Sequence, residues 1–360
     1  MSRASFLEVL PTRVRRGYTG GAQLERWTGV GTGEDSNRPE DWIASTTEAR
    51  NPGMECIPGE GLTRVCRPDG TRSDLRAEIA GDRAYHLGAA PGSMPGNELG
   101  FLAKILDSSI RLHIQAHPTA AFAQAYLQSR YGKLEAYVIL GVRPGCEAYA
   151  LLGFRQAPSR EEWRRLIAEQ DVTAMQACLN RVSLAPGDVW LVPGGMPHAI
   201  GEGVLMIEVM EPSDWVVRCE FEREGIVVPP AGRYMGRDLD FCLDIFDYRS
   251  ASVEEIRAQC CLAPRPLPSC AGGSREELVG PDQTDCFRVQ RLHARGPIEV
   301  PEAGGMRLLV VTAGRGRLEG GGRSLVLQPG ARALVPAGSA NCRIIPEVGW
   351  AIEAVMCLPG

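Results

Sequence analysis

The sequence predicts a mainly β protein built from two copies of one β-unit, with a small helical insertion. One stretch, IRLHIQAHPT (110–119), alternates polar and apolar residues with a period of two, which is typical of a strand. The segments PGDVWLVPGGMPH (186–198) and PGARALVPAGSAN (329–341) align without gaps and indicate an internal repeat. Residues 1–112 are rich in Gly, Pro and short apolar runs, which favours strands joined by turns.

The alternating stretch places three polar side chains on one face of its strand. His113, Gln115 and His117 occupy every second position, with Ile114 and Ala116 between them. Successive side chains of a strand point to opposite faces, so the two imidazoles and the amide point the same way. The pattern therefore indicates a polar site on that face.

Two segments predict the helical insertion. TAAFAQAYLQSRY (119–131) predicts a short helix, and residues 158–182 predict a longer one. Ser159 can cap the second helix, and Glu162 three positions later would complete a capping box. Between these segments, AYVIL (136–140) predicts a buried strand.

The same patterns predict the domain organisation. Residues 1–250 would form a catalytic domain that includes the helical insertion at about 118–131 and 158–182. Residues 251–285, with several Pro and Gly, predict a loop-like linker. Residues 286–360 would form the second β-unit.

Composition excludes several classes of protein. The chain has 360 residues, 44% of them hydrophobic, and a net charge of -5 without a long block of one sign. This balance predicts no nucleic-acid partner and no membrane partner. The first twenty residues lack the apolar core of a signal peptide, so we expect a cytoplasmic protein. The 12 cysteines form no C-x-x-C pair and are expected to be free thiols.

Lysine is scarce in this chain. Of the 39 Lys and Arg residues, only Lys104 and Lys133 are lysines. A lysine that remains where arginine is otherwise used is expected to serve as a compact point charge with an adjustable pKa.

The first copy of the repeat contains a recognisable turn motif. Its G-x5-P-x-G-x2-H arrangement, which ends at His198, resembles the second signature motif of cupins, which are small jelly-roll barrels. The resemblance implies two cupin jelly-roll barrels. Asn341 replaces the histidine in the second copy, so we expect the C-terminal barrel to be structural.

The polar residues gain partners in this fold. In a cupin, side chains from adjacent strands point into the barrel and hold a metal. His117 and His198 would supply nitrogen ligands, and Gln115 and Glu135 would supply oxygen ligands. Such a set suits zinc or another borderline divalent ion.

Several ordered motifs resemble the class I mannose-6-phosphate isomerases, particularly the short bacterial form. IQAHP resembles that family's strand with Gln and His, and GKLEAYVIL resembles its G-K-x-E segment. VPGGMPHAIGEGVLMIEVMEPSDWVVR resembles its P-x-G-x-P-H segment, and PEDWIASTTEARNPG resembles its Trp-containing turn. The similarity spans residues 13 to about 223.

The resemblance implies a metal-dependent isomerase that interconverts mannose 6-phosphate and fructose 6-phosphate through an enediol or enediolate. It implies one Zn²⁺ per chain and a monomer or homodimer. The implied metal ligands are Gln115, His117, Glu135 and His198. The residues implied around the substrate are Lys104, Lys133, Glu208 and Arg218.

The residues leave the catalytic base open. Lys133, Glu208 and His113 are all possible, because each is of a type that transfers protons. Arg218 is expected to act as an electrostatic partner because an arginine stays protonated. Its structural alternative is an ordinary ion pair with Asp214 or Glu220.

Two departures from the family pattern concern the substrate. His113 replaces the usual Ser, and Ile200 replaces a frequent Tyr, so His113 is a substrate-binding candidate. The alternatives are an isomerase for a related sugar and a non-catalytic sugar-sensing cupin. A cupin dioxygenase is less favoured, because Gln115 stands where such enzymes have a first histidine.

Overall fold

The computed structural model describes residues 3–88 and 98–360. The mainly β fold predicted from the sequence is confirmed. The strands of the first part are β1 Leu7–Val9, β2 Arg13–Val14, β3 Glu40–Ala44, β4 Arg64–Cys66, β5 Arg72–Asp74, β6 Leu102–Asp107, β7 Gln115–Ala116, β8 Glu135–Val142, β9 Tyr149–Phe154, β10 Leu179–Ser183, β11 Val189–Val192, β12 His198–Ile200, β13 Val204–Met210, β14 Val217–Arg218, β15 Glu222–Arg223 and β16 Ile226–Val227. The remaining strands are β17 Arg265–Cys270, β18 Gly273–Val279, β19 Phe287–Ala294, β20 Ile298–Glu299, β21 Arg307–Ala313, β22 Gly316–Gly320, β23 Arg323–Leu327, β24 Arg332–Val335, β25 Arg343–Pro346 and β26 Ile352–Pro359.

The helices are short and lie mostly in the first two thirds of the chain. They are α1 Ala22–Thr28, α2 Leu75–Gly81, α3 Arg83–Leu87, α4 Ala120–Tyr126, α5 Arg160–Glu169, α6 Val172–Ala177, α7 Leu239–Leu243 and α8 Val253–Cys260. None of the helices in the described part of the chain has the length and hydrophobicity needed to cross a bilayer.

Two sheets form the N-terminal sandwich. A six-stranded sheet has the order β11-β8-β13-β6-β3-β2, and a five-stranded sheet has the order β10-β9-β12-β7-β14. Apolar side chains from both sheets meet in one buried cluster, which includes Leu106 and Met206 from the first sheet and Leu152 and Ile200 from the second. The polar site predicted from the sequence belongs to this interior.

Two further sheets form the C-terminal sandwich. A nine-stranded sheet has the order β17-β18-β19-β26-β21-β24-β1-β4-β5, and it faces a four-stranded sheet of order β20-β25-β22-β23. Leu292 and Met356 from the large sheet and Leu318 and Ile344 from the small one share a buried core. Burial of this apolar area is the main force that holds such sheets together.

The outer faces of the sheets are covered as well. Ile105 and Ile207 of the six-stranded sheet pack in one cluster with Val289 and Leu308 of the nine-stranded sheet, which joins the two sandwiches. The helical region that contains α5, α6 and α7 covers the outer face of the five-stranded sheet. Strand β7 is therefore buried on both faces, whereas its alternating pattern alone predicts burial of one face.

The helical insertion is confirmed, but with shorter helices. The long helix predicted over 158–182 is α5 followed by α6, and the residues from Leu179 onwards form strand β10. The hydroxyl of Ser159 accepts a hydrogen bond from the backbone of Glu162, as expected for the cap. The carboxylate of Glu162 binds Arg165 instead of closing a capping box.

The loop-like character expected for 251–285 is wrong. This segment contains α8 and the strands β17 and β18, and β18 pairs with β19 along most of its length. Ser252 and Glu255 form the complete capping box of α8, a sequence signal that the prolines and glycines had outweighed. The division of the chain into two domains with a linker stays a prediction.

The N-terminal residues also depart from the simple division at residue 250. Strand β1 pairs with β24 of the C-terminal sandwich, and β4 and β5 extend the same sheet. The three short helices α1, α2 and α3 lie in the region for which the sequence favoured strands and turns.

Candidate active site

Two histidines and a carboxylate meet inside the N-terminal sandwich. One possible ligand atom from each of His117, Glu135 and His198 lies within 4.8 Å of the other two. The Nε2 atoms of His117 and His198 lie 3.2 Å and 3.6 Å from the carboxylate oxygens of Glu135. All three side chains are at most 2% exposed. The three predicted ligands thus converge from three separate segments of the chain.

Both imidazoles are held with one nitrogen free. The Nδ1 atom of His117 lies 2.7 Å from the carbonyl oxygen of Trp215, and that of His198 lies 2.9 Å from the carbonyl oxygen of Met196. Since a carbonyl only accepts, each Nδ1 carries the proton and donates it. Each Nε2 then presents a lone pair toward Glu135, which is the orientation that metal-binding histidines adopt.

Burial keeps these imidazoles neutral. It lowers the pKa of His117 to about 3, and the nearby Lys133 ammonium acts in the same direction. It also lowers the pKa of His198. A neutral imidazole is the form that binds a metal.

Gln115 completes the predicted ligand group. It is the direct register partner of His198 in the pair β7–β12, and its amide lies 3.4 Å from Nε2 of that histidine. The neighbours Ile114 and Ala116 are buried in the outer cluster under the helices, whereas His113 and Gln115 line the inner pocket. The period-two prediction for this strand is confirmed by its two faces.

Lys133 lies directly beside the ligand group. Its Nζ is 2.9 Å from Oε1 of Glu135 and 3.3 Å from Nε2 of His117. Burial alone would raise the pKa of Glu135, but the charges of Lys133 and the histidines hold it well below its usual range. The hydroxyl of Tyr137 donates to the other oxygen of Glu135 at 2.5 Å. Glu135 is therefore ionised and fully engaged.

A row of polar residues crosses the six-stranded sheet beside this group. The register places Tyr137 opposite Glu208, Glu208 opposite Lys104, and Lys104 opposite Trp42. The Nζ atom of Lys104 lies 3.2 Å from Glu208 and 3.0 Å from Glu40. The pairing of adjacent strands thus fixes the distances between these charged groups.

The two carboxylates that flank Lys104 have opposite pKa shifts. Burial and the negative charge of Glu135 raise the pKa of Glu208 to about 8. For Glu40 the effect of burial is outweighed by Arg16 and Lys104, which hold its pKa well below the usual range. Glu208 therefore exchanges a proton near neutral pH, while Glu40 stays ionised.

Arg16 links two carboxylates of the pocket and was missed by the sequence analysis. Its guanidinium lies 2.8 Å from Glu40 and 3.2 Å from Asp214. Tyr18 and Trp42 also donate to Glu40, at 2.6 Å and 2.8 Å. No local motif surrounds Arg16, and its partners are distant in the sequence, so the chain carried no signal for this network.

Arg218 has no carboxylate partner within ion-pair distance among the described residues. It donates to the carbonyl oxygen of Gly232 at 2.7 Å, and burial lowers its pKa to about 10. The alternative ion pairs do not form, because Asp214 is bound by Arg16 and Glu220 by Arg111. The guanidinium is therefore charged and available to an anion.

His113 lies in the same pocket. Its Nε2 is 3.4 Å from the carbonyl oxygen of Ile226, and burial lowers its pKa, so the ring is neutral. The predicted residues that line this one pocket are Lys104, His113, Gln115, Lys133, Glu135, Glu208 and Arg218. Ile200, the second departure from the family pattern, lines it too.

Comparisons with known proteins agree with this site. The mannose-6-phosphate isomerase of Streptococcus mutans is 26% identical over 68% of this chain and 71% of its own length. The mannose-6-phosphate isomerase ManA of Bacillus subtilis is 32% identical over 35% of this chain and 38% of its own length. This chain is a homologue of the mannose-6-phosphate isomerases. No family model matches it.

The fold agrees with that of solved mannose-6-phosphate isomerases. The crystal structure of the Bacillus subtilis mannose 6-phosphate isomerase superposes with a TM-score of 0.72 at 18% identity, covering 98% of this chain and 99% of that one. A zinc-bound mannose 6-phosphate isomerase superposes with a TM-score of 0.71 at 18% identity, covering 99% and 100%. The resemblance predicted from the motifs is confirmed.

Proposed function

We propose that this protein is a metal-dependent aldose–ketose isomerase that interconverts mannose 6-phosphate and fructose 6-phosphate. The observation that carries the proposal is the meeting of His117, Glu135 and His198 in a buried pocket that also contains Lys133 and Glu208. The homology to mannose-6-phosphate isomerases supports the same reaction.

The donor group fits one Zn²⁺. Two neutral imidazoles with Nε2 free, one ionised carboxylate and one amide are suitable ligands for this borderline ion. Carbonyl oxygens fix both rings from behind, as is usual for zinc-binding histidines. We propose that His117, Glu135, His198 and Gln115 hold the ion. A bound Zn²⁺ would supply a Lewis acid that polarises sugar oxygens.

The proton transfer requires a group that changes its protonation state near neutral pH. Glu208 meets this requirement, since its pKa is raised to about 8 and it lines the pocket. Lys133 is held by an ionised carboxylate at 2.9 Å, which favours its charged form. We therefore propose Glu208 as the group that moves the proton between C2 and C1, and Lys133 as a donor that orients a sugar oxygen.

The anionic parts of the substrate need positive partners. Arg16, Lys104 and Lys133 are each paired with a carboxylate, whereas Arg218 is not. We propose that Arg218 stabilises negative charge on the substrate, either on the phosphoryl group or on the enediolate. Lys104 would assist by holding Glu208 in place.

The presence of His113 favours a second candidate, an isomerase for a related sugar. A neutral imidazole lines the pocket where the family usually has a hydroxyl, and a site built on hydrogen bonds discriminates strongly between similar substrates. A panel of aldose 6-phosphates and free aldoses, assayed with the wild type and His113→Ser, would identify the preferred sugar.

The decisive experiment is a coupled assay of mannose 6-phosphate turnover, with and without a chelator. We expect turnover that the chelator abolishes and that added Zn²⁺ restores. A filled metal site without turnover of any sugar in the panel would point to a sensor. Oxygen uptake with an iron-loaded sample would point to a dioxygenase. We also propose a cytoplasmic location and a monomer or homodimer, which fractionation and sedimentation would test.

A further inference from the structure

The C-terminal sandwich contains a polar cavity of its own. This cavity has a volume of about 290 Å³ and is lined by Arg275 of β18 and by Arg288 and Gln290 of β19. Met356 and Leu358 of β26 form an apolar wall. Both belong to the buried core of this sandwich, so the cavity opens into one end of its interior.

The two arginines have no counter-ion in the described part of the chain. Neither forms an ion pair, and the Nε atoms of both are buried without a hydrogen-bond partner. Glu277, which is paired with Gln290 in the register of β18 and β19, is engaged by Arg265 at 2.8 Å. Glu302 lines the cavity as well, but its side chain is exposed to solvent.

Gln290 supplies an independent sign of a missing ligand. Its side chain is only 8% exposed, yet its amide oxygen is buried without a partner. Buried polar groups without partners are rare in folded proteins, and each one needs a physical reason. An amide offers both donors and an acceptor, so a ligand in the cavity would satisfy it.

We propose that this cavity binds a small organic anion, a phosphate ester or a carboxylate, through Arg275, Arg288 and Gln290. The planar fork of a guanidinium matches the oxygens of both anions and binds them with two parallel hydrogen bonds. The apolar wall of Met356 and Leu358 would accept the short carbon part of the ligand. The repeat in this half carries Asn341 in place of a histidine, so the site differs in kind from the metal group.

Anion-dependent thermal stability tests the proposal. A ligand that binds only the folded state raises the unfolding midpoint. Inorganic phosphate and succinate would be titrated into the full-length, zinc-loaded protein, with sodium chloride at matched ionic strength as the reference. We expect at least one of the two anions to raise the midpoint by about 2 °C or more above the chloride reference. A response to phosphate alone identifies a phosphate ester as the ligand class, and a response to succinate alone identifies a carboxylate.

The variants separate this cavity from the active site. Arg288→Gln should lose most of the anion-dependent shift, while Arg291→Gln on the opposite face of β19 should keep it. If Arg288→Gln fails to fold, Gln290→Glu serves instead, because an internal carboxylate would neutralise the arginines and abolish the shift. Isomerase activity should be unchanged in all three, so the outcome is independent of the proposed function. An equal shift in all variants, or no shift beyond chloride, would overturn the proposal.

Discussion

Glu208 on β13 and Lys104 on β6 stand directly opposite each other in the sheet, with Oε1 and Nζ 3.2 Å apart. Both side chains are buried, and Lys104 is shared with Glu40. The neighbouring charge of Glu135 adds to the effect of burial and raises the pKa of Glu208 to about 8. A single cross-strand pair therefore contains a proton-exchanging carboxyl group next to a permanent cation.

This pair predicts the pH dependence of the reaction. Glu208→Gln keeps the shape of the side chain but removes the exchangeable proton. We expect kcat/KM to fall by roughly 10²–10⁴-fold, the usual contribution of a general acid or base. The ionisation near pH 8 should vanish from the residual pH profile. Unchanged metal content would serve as the control, and a profile identical to that of the wild type would rule out Glu208 as the proton carrier.

The same group predicts a pH-dependent difference in stability. The folded-state pKa of Glu208 lies above its unfolded value of 4.5, at about 8, so the folded chain binds more protons between these values. Stability contributed by this group is complete below pH 4.5 and is lost as pH rises toward 8. In metal-free protein, the wild type should lose stability relative to Glu208→Gln over this window. Parallel denaturant curves at every pH would contradict the assignment.

The ligand group predicts the metal content of single variants. His198→Ala removes one nitrogen donor and leaves Glu135 without a partner 3.6 Å away. We expect elemental analysis to find close to one zinc per chain in the wild type and little in this variant, with activity lost in proportion. His293→Ala is the matched control, because that imidazole lies partly exposed on the C-terminal sandwich. Full zinc content in His198→Ala would remove His198 from the ligand group.

The unpaired guanidinium predicts a graded response to substitution. Arg218→Gln removes the positive charge that faces the pocket, and we expect kcat/KM to fall by about 10²–10³-fold, as for other lost electrostatic contacts. Arg218→Lys should recover part of this loss because the charge is retained. Arg160→Gln, which breaks an exposed pair with Asp244, should have no effect on activity. Equal activity of the Gln and Lys variants would exclude a role for the charge.

The missed network predicts a large stability effect. Arg16→Met would leave Glu40 and Asp214 buried without their shared cation, which we expect to cost about 3–5 kcal/mol in free energy of unfolding. Arg249→Met breaks an exposed pair with Asp247 and should cost less than about 1 kcal/mol. Chemical denaturation of both variants measures the difference. Comparable losses in the two would show that the buried pair is no stronger than a surface pair.

The sequence by itself predicted the features that have a short-range period or a fixed spacing. The alternation of His113, Gln115 and His117 fixes which side chains share a face, because a strand has a period of two. The repeated turn at Gly187 and Gly330 indicated two related β-units, and both glycines adopt the left-handed backbone that such turns require. The mainly β fold and the meeting of the proposed ligands followed from these local patterns and the resemblance.

Only the tertiary structure decided which distant residues meet. Arg16 and Asp214 are separated by 198 positions, and no local pattern encodes their contact. The pairing of β1 with β24 likewise joins the two ends of the chain, which a linear division into domains does not anticipate. Local periodicity determines the direction of a side chain, whereas packing of whole sheets determines its partners. The ligand strand was therefore foreseen, and the charge network around it was not.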